Sequence, residues 1–248
     1  MLTEERYRLI LERLQLHGVV KLQELVELLG ASESTVRRDL IDLEANQLLK
    51  RVHGGASLIT QKSAELGMEE KTFKNVQEKN IVAKLAAQQI QNGDCIYLDA
   101  GTTTLAMIPY IEAEDITVVT NGLSHVEALV SKNIRSYLLG GLIKTHTKAV
   151  VGSIALQNMD QFRFDKSFIG TNGVDVKMGY TTPDPEEALL KRSAHLMSGN
   201  TYVLADSSKF GEVAFAKLFN LNEATLITDS VPEPYKVSIG QKYKVIEG

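Results

Sequence analysis

The 248-residue sequence has no tryptophan, one cysteine and five prolines, and only 6% of it is aromatic. A lone cysteine forms no internal disulfide, so Cys95 points to a reducing, cytoplasmic setting. Within the run Cys95–Leu98 it reads as a small buried strand residue and not as a nucleophile. No apolar run is long enough to span a bilayer, and the charged N-terminal stretch lacks a signal-peptide core, so no membrane partner is expected. Positive charge is also scarce. With 27 basic against 31 acidic residues, the formal net charge is -4, which excludes a basic nucleic-acid coat but not a small local patch. No cluster has zinc-ligand spacing, so neither metal nor cofactor is expected.

What is present suits a soluble protein with a sizeable core, built as one large domain or two smaller ones. Hydrophobic residues make up 44% of the chain and charged residues 23%.

Three helical patterns open the chain. Leu9, Ile10, Leu11, Leu14 and Leu16 predict a first helix, capped by Thr3 with Glu4 and Glu5 and ended by His17-Gly18. Leu22, Leu25, Val26 and Leu29 predict a second, stopped by Gly30. Ser32 caps a third, with Glu33 in its first turn. At about 100° per residue, Val36, Leu40 and Leu43 share one face of that helix. Ser34, Arg37, Arg38 and Ile41 fall roughly opposite, and Asp39 turns toward the core as a structural partner. The period then changes. Leu48–Val52, Gly54-Gly55 and Ala56–Ile59 predict a hairpin.

Three short helices and a basic hairpin make a winged helix-turn-helix. A recognition helix sets its N-terminal residues against base edges in the major groove. Ser34, Thr35, Arg37 and Arg38 hold that position, and arginine is the residue shaped to grip guanine with two hydrogen bonds. Lys50, Arg51 and His53 flank the wing turn, where Gly54 permits a tight bend. Adjacent arginines alone would suit a solvated surface. Their order with the hairpin favours double-stranded operator DNA as a partner.

These patterns place a DNA-binding domain at 1–58, a charged linker at 59–76 and a second domain at 77–248. In the second domain, Ile81, Leu85, Ala86 and Ile90 predict an opening helix. Short apolar runs at Cys95–Leu98, Ile116–Val119, Ser136–Leu139, Ser167–Ile169, Tyr202–Ala205 and Thr225–Ile227 then alternate with helical patterns. The helical patterns are Thr102–Ile111, Ser124–Val130, Ile154–Met159 and Glu186–Met197. Such alternation predicts an α/β domain with a largely parallel sheet.

In open α/β sheets, ligands bind beyond the carboxyl ends of the strands. Polar loops follow the runs there. Asp99-Ala100-Gly101-Thr102-Thr103-Thr104 opens a helix, where backbone amides and hydroxyls suit an anion. Asn121, Gly140, Gly141 and Asn172 lie in the later loops, and Lys209 is the counter-charge for a phosphate. Together they predict a small, polyhydroxylated, anionic ligand, with Asp99 and Asn121 meeting sugar hydroxyls. His125 and His195 fall in helices and read as surface or core residues. His146 lies in the basic loop Lys144–Lys148, which reads as solvated.

Ser34–Leu40 and Arg51–Ala56 resemble the signature of the DeoR family of sugar-metabolism regulators, and DAGTTT at Asp99–Thr104, FIGTNGV at Phe168–Val174 and DSSK at Asp206–Lys209 extend the likeness. The resemblance implies a Rossmann-like α/β effector domain similar to ribose-5-phosphate isomerase. It implies that Gly101 to Thr104 and Lys209 hold a sugar phosphate. Glu187 falls near the isomerase's catalytic carboxylate, but Thr171-Asn172-Gly173 replaces its acidic loop, which implies binding without turnover. Segments such as GDCIYLDAGTTTL and YTTPDPEEALLK look like fructose-operon members of the family. That likeness implies a repressor acting as a homodimer or homotetramer, with fructose 1-phosphate as inducer. The rival is a sugar-phosphate isomerase with an accessory DNA-binding module, using Glu187, Asp99 and Lys209 in one pocket.

Overall fold

The computed structural model describes residues 3–17, 19–45, 48–52, 54–57 and 67–248. The chain divides into two compact units, Met1–Lys62 and Ser63–Gly248.

In the first unit, α1 (Thr3–His17), β1 (Val19–Lys21), α2 (Leu22–Leu29) and α3 (Glu33–Ala45) precede β2 (Lys50–Val52) and β3 (Gly55–Ser57). Thr3 is the first helical residue and not the expected cap. Gly30 ends α2 in the left-handed region at φ 56, which glycine enters at no steric cost. Ser32 does cap α3: its Oγ accepts from the Thr35 amide at 3.3 Å. Ile10, Leu14, Leu22, Leu25, Val36, Leu40 and Leu43 are all buried in one apolar cluster, as the 3.6-residue spacing predicts. β3 pairs antiparallel with β2 and also with β1, a strand the sequence reading did not foresee. Gly55 is required by that packing, since a Cβ there would lie 2.1 Å from the Val20 carbonyl oxygen. The wing is therefore a three-stranded sheet.

In the second unit, α4 (Met68–Phe73) and α5 (Val76–Ala87) lead into β4 (Cys95–Leu98). Next come α6 (Thr102–Met107), β5 (Thr117–Thr120), α7 (Leu123–Ser131) and β6 (Arg135–Leu138). A hairpin of β7 (Leu142–Lys144) and β8 (Ala149–Val151) precedes α8 (Ser153–Met159) and β9 (Phe164–Gly170). β10 (Gly173–Asp175), β11 (Gly179–Thr182), α9 (Pro185–Leu196), β12 (Ser198–Leu204), β13 (Ala216–Lys217), β14 (Thr225–Thr228) and β15 (Val245–Glu247) complete the chain.

Seven strands form one parallel sheet in the order β15-β14-β12-β9-β4-β5-β6. Its six inner and early strands match the apolar runs of the sequence. Side chains alternate between faces, as the strand period demands. Ile96, Leu98, Val118 and Phe168 join the cluster with α5, α6 and α7. Tyr97, Val119 and Ile169 join the cluster with α8 and α9. Cys95 is exposed at the first position of β4, contrary to the buried position expected. β10, β11 and β13 form a small antiparallel sheet that gave no clear apolar run.

The strand order places the site. From β4 the chain runs outward through β5 and β6, then returns to β9 on the other side of β4 and continues outward the opposite way. The reversal opens a crevice at the carboxyl ends of β4 and β9.

Candidate functional site

At the reader unit, α3 turns Ser34, Arg37 and Arg38 outward while Asp39 is 3% exposed. Arg6 of α1 grips Asp39 with Nε to Oδ2 at 2.6 Å and Nη2 to Oδ1 at 2.8 Å. Asp39 thus ties two helices together, as its position on the helix wheel implies. The Ser32 hydroxyl lies 2.9 Å from that of Ser34 and 2.8 Å from that of Thr35. Arg37 Nε and Nη2 donate to Glu33 Oε1 at 2.9 and 2.6 Å, one helical turn away. Arg51 donates its amide and its Nε to Glu44, at 2.8 and 2.6 Å, which fastens the wing to the end of α3. Among the described residues, Arg38 meets no carboxylate, so its guanidinium projects unengaged. Gly54 makes the wing turn at φ 80, and its carbonyl accepts from the Leu22 amide at 2.8 Å. His53 and the Lys50 side chain lie outside the described residues.

In the second unit, Asp99 directly follows β4 and Gly170 ends β9, on the two sides of the crevice. The Gly170 amide donates to Asp99 Oδ2 at 3.0 Å. Lys191 of α9 donates to the same oxygen and to the Gly170 carbonyl, the latter at 3.1 Å. Burial pushes the Asp99 carboxyl up from its ordinary value, against the pull of Lys191. Asn121, ending β5, is also inside. Its Oδ1 accepts from Tyr97 Oη at 2.9 Å and from the Ala100 amide at 2.8 Å, and its Nδ2 donates to the Val150 carbonyl at 3.1 Å. Asp99 and Asn121 are therefore frame residues that hold the loops, and not the outward-facing sugar contacts expected from the sequence.

Gly101, Thr102 and Thr103 are half-buried at the start of α6, where first-turn amides have no acceptor within the helix. Thr104 points inward. Its hydroxyl donates to the Asp99 carbonyl at 2.6 Å and lies 3.1 Å from His125 Nε2. His125 is a core residue, and burial pushes its pKa down to about 4.

Glu187 lies in the first turn of α9 and is 6% exposed. Its Oε1 accepts from Lys144 Nζ at 2.8 Å and from Thr147 Oγ1 at 2.9 Å. Burial works to raise its pKa, but Lys191 and then Lys144 outweigh that and hold it below the ordinary value. The turn carrying His146 is largely solvated, as expected, with Thr145, His146 and Lys148 exposed; within it Thr147 is buried, Lys144 is paired, and the His146 carbonyl accepts from the Met68 amide at 3.0 Å. Asn172 is half-buried, and its Oδ1 accepts from Thr182 Oγ1 at 3.2 Å. Gly140 and Gly141 build the turn into the β7–β8 hairpin. The Gly140 amide donates to Asn158 Oδ1 at 2.9 Å, and a Cβ on Gly141 would crowd the Val151 carbonyl at 2.6 Å.

Lys209 ends a short helical turn that Asp206 caps, and its Nζ lies 3.9 Å from Asp206 Oδ2. Lys79 of α5 is 7% exposed. Burial lowers the Lys79 pKa; Asp206 opposes this, while Lys209 and Lys71 add to it. Asn75 Nδ2 bonds Asp206 Oδ1 and Ser208 Oγ, so the start of α5 meets the turn that ends in Lys209. The sequence reading missed Lys79 and Lys191, although both carried a signal. Lys79 lies three and four residues before Val82 and Ala83 on the buried face of α5, and Lys191 lies one turn after Glu187. Among the described residues, no group of histidine, cysteine and carboxylate side chains could hold a metal ion. No helix among them is long and apolar enough to cross a membrane.

Two family models match the chain. The DeoR-like helix-turn-helix domain matches residues 6–62, and the DeoR C terminal sensor domain matches residues 74–230. The chain is 53% identical to an uncharacterized HTH-type transcriptional regulator, FruR, of Bacillus subtilis, over 94% of this chain and 93% of that one. It is 34% identical to the lactose phosphotransferase system repressor of Staphylococcus aureus, over 91% of each chain. Among solved structures, ribose 5-phosphate isomerase A of Methanocaldococcus jannaschii matches at 17% identity and a TM-score of 0.42, over 55% of each chain.

Proposed function

The chain belongs to the DeoR family of transcriptional regulators, and from that premise we propose that it represses a sugar-utilisation operon and leaves its operator when a phosphorylated sugar binds. The inducer in this reading is fructose 1-phosphate, and the working form is a cytoplasmic homodimer or homotetramer. Residues 1–58 read the DNA through Ser34, Thr35, Arg37, Arg38, Lys50, Arg51, His53 and Gly54. Residues 59–76 link them to a sensor at 77–248. Similarity to the lactose phosphotransferase system repressor supports a sugar-uptake operon as the target.

One observation supports the sensor half: Asn75 Nδ2 bonds Asp206 Oδ1 and Ser208 Oγ, which brings the start of α5, with Lys79, to the turn after β12 that ends in Lys209. A phosphoryl group relieves the repulsion between the two lysines. Gly101, Thr102 and Thr103 line the adjoining loop, with Asn172 and the turn at Gly140 and Gly141 around it. Asp99, Thr104, Asn121 and Glu187 position those loops. Release from DNA requires that the sugar phosphate bind the DNA-incompetent arrangement more tightly, because a ligand without that preference shifts nothing.

The isomerase reading is weaker on the same residues. A general base works best with a pKa near the operating pH. Glu187 is held below its ordinary value by two lysines and is already bonded to Lys144 and Thr147. Sensing without turnover fits that carboxylate.

Operator binding measured by fluorescence anisotropy, with and without fructose 1-phosphate, tests the proposal. Binding that ignored every sugar phosphate would sink the effector claim. Interconversion of an aldose and a ketose phosphate, abolished by Glu187→Gln, would favour the isomerase.

A further inference from the structure

α4 is the first described helix after the reader unit, and its anchorage is polar. The Met68 amide donates to the His146 carbonyl at 3.0 Å. The Lys71 carbonyl, in the last turn of α4, accepts from Lys79 Nζ. Asn75, just beyond the helix, adopts the left-handed conformation at φ 51. That conformation aims Asn75 Nδ2 at Asp206 Oδ1 and Ser208 Oγ, each at 3.0 Å. Apolar packing adds little: Met68 is buried, but Phe73 is 83% exposed.

Each of the three fastening points belongs to a segment that also builds the candidate anion site. The turn that contains His146 carries Thr147 onto Glu187. The turn that contains Asp206 and Ser208 ends in Lys209. Lys79 faces both Lys209 and α4. An ammonium bonds a phosphate oxygen more strongly than a neutral carbonyl, because the acceptor is ionised. An anion drawn in by Lys209 therefore competes with the Lys71 carbonyl for Lys79.

We propose that α4 is a strap whose fastening and the binding of a phosphorylated ligand exclude one another: the ligand takes Lys79 from the Lys71 carbonyl, and α4 comes loose. The ligand half rests on the sensor reading above. The fastening half rests only on the contacts of Lys79, Asn75 and Met68.

Amide hydrogen exchange of the full chain, read on peptides covering 67–75, tests the strap. Fructose 1-phosphate and inorganic phosphate are the probes, and melting temperature reports whether either binds. Fructose 1-phosphate is expected to raise the melting temperature and to speed exchange across α4. Asn75→Gly keeps the left-handed backbone and deletes both side-chain bonds. It is expected to speed α4 exchange without ligand, to weaken operator binding by about fivefold or more, and to enlarge the melting shift caused by fructose 1-phosphate, since a loosened strap no longer competes with it. Ser208→Ala, which removes one of the two acceptors, should act in the same direction with smaller effect and guards against a misfolded Asn75→Gly. A ligand that raises the melting temperature while α4 exchange stays constant overturns the competition and leaves the sensor reading standing. If neither probe shifts melting, the sensor reading and the competition both fail. Parent-like exchange and operator affinity in Asn75→Gly overturn the strap itself.

Discussion

Lys144 Nζ stands 2.8 Å from Glu187 Oε1 and 2.8 Å from Asp184 Oδ2, so a single ammonium ties the β7–β8 hairpin to the start of α9. Asp184 also caps that helix, accepting from the Glu186 and Glu187 amides at 2.7 and 3.1 Å. Helix start and hairpin are thereby one polar assembly. Lys144→Met removes that ammonium and leaves Glu187 buried beside Lys191. The expected cost is about 2–3 kcal/mol in sensor stability, since breaking a largely buried pair strands its charge. Glu187→Gln should cost less, because Lys144 retains Asp184. Urea denaturation followed on the sensor unit checks both.

Acid should act in two windows. His125 titrates near 4 in the folded chain against 6.5 unfolded, so the unfolded chain takes up the proton first. Stability is then lost as pH falls from about 6.5 to 4, by up to about 3 kcal/mol. Glu187 and Asp184 are depressed, so their contribution is complete above their ordinary values of 4.5 and 3.8 and is lost as pH falls below them. His125→Gln should flatten the first window and spare the second. A melting series across pH that showed no difference between variant and parent above pH 5 would contradict this.

In the reader unit, Arg38 should matter more than Arg37. Glu33 already holds the Arg37 guanidinium, whereas Arg38 projects without such a competitor among the described residues. Arg38→Ala is expected to weaken operator binding by about 1–3 kcal/mol, the worth of a good bidentate base contact. Arg37→Ala should cost less, and Glu33→Ala should tighten binding by releasing Arg37. Anisotropy titrations at several salt concentrations separate base from phosphate contacts through the salt slope.

Gly55→Ala should disable the wing. The added methyl would meet the Val20 carbonyl oxygen, and backbone cannot step aside as a side chain can. About 1–3 kcal/mol of reader stability is at stake. Operator binding should fall while the melting shift caused by sugar phosphate persists. Loss of both would contradict two independently folded units.

Lys79→Ala and Lys209→Ala should each weaken sugar-phosphate binding, read by calorimetry. The pair should be non-additive, because either lysine alone leaves the other free of its repelling neighbour.

Much of the frame was legible because burial writes itself into periodicity. Val36, Leu40 and Leu43 marked the inner face of α3, and Cys95–Leu98 marked β4 to the residue. β7, β10, β13 and β15 were not legible, since strands of two or three residues carry too few alternations to stand out. In the loops after the strands, composition alone did not reveal which way each polar side chain points. Asn121 and Thr104 are polar residues in ligand-type loops, yet both turn inward, and only the pairing of β4 with β5 and β9 decides that. Lys79 and Lys191 were overlooked because a lysine on an apolar face reads as a solvated stem until its partner across the fold is known.

Asn121 accepts from Tyr97 and Ala100 and donates to Val150, and so holds the loops after β4 and β5 to strand β8 by atoms that never reach the crevice surface. Frame and lining are thus borne by different residues. If the proposed pocket holds, drift at Thr102, Thr103 or Asn172 would retune which sugar is preferred while Asn121 and Asp99 keep the architecture intact. Divergence toward new inducers is open to this scaffold through a handful of surface replacements, without first passing through a misfolded intermediate.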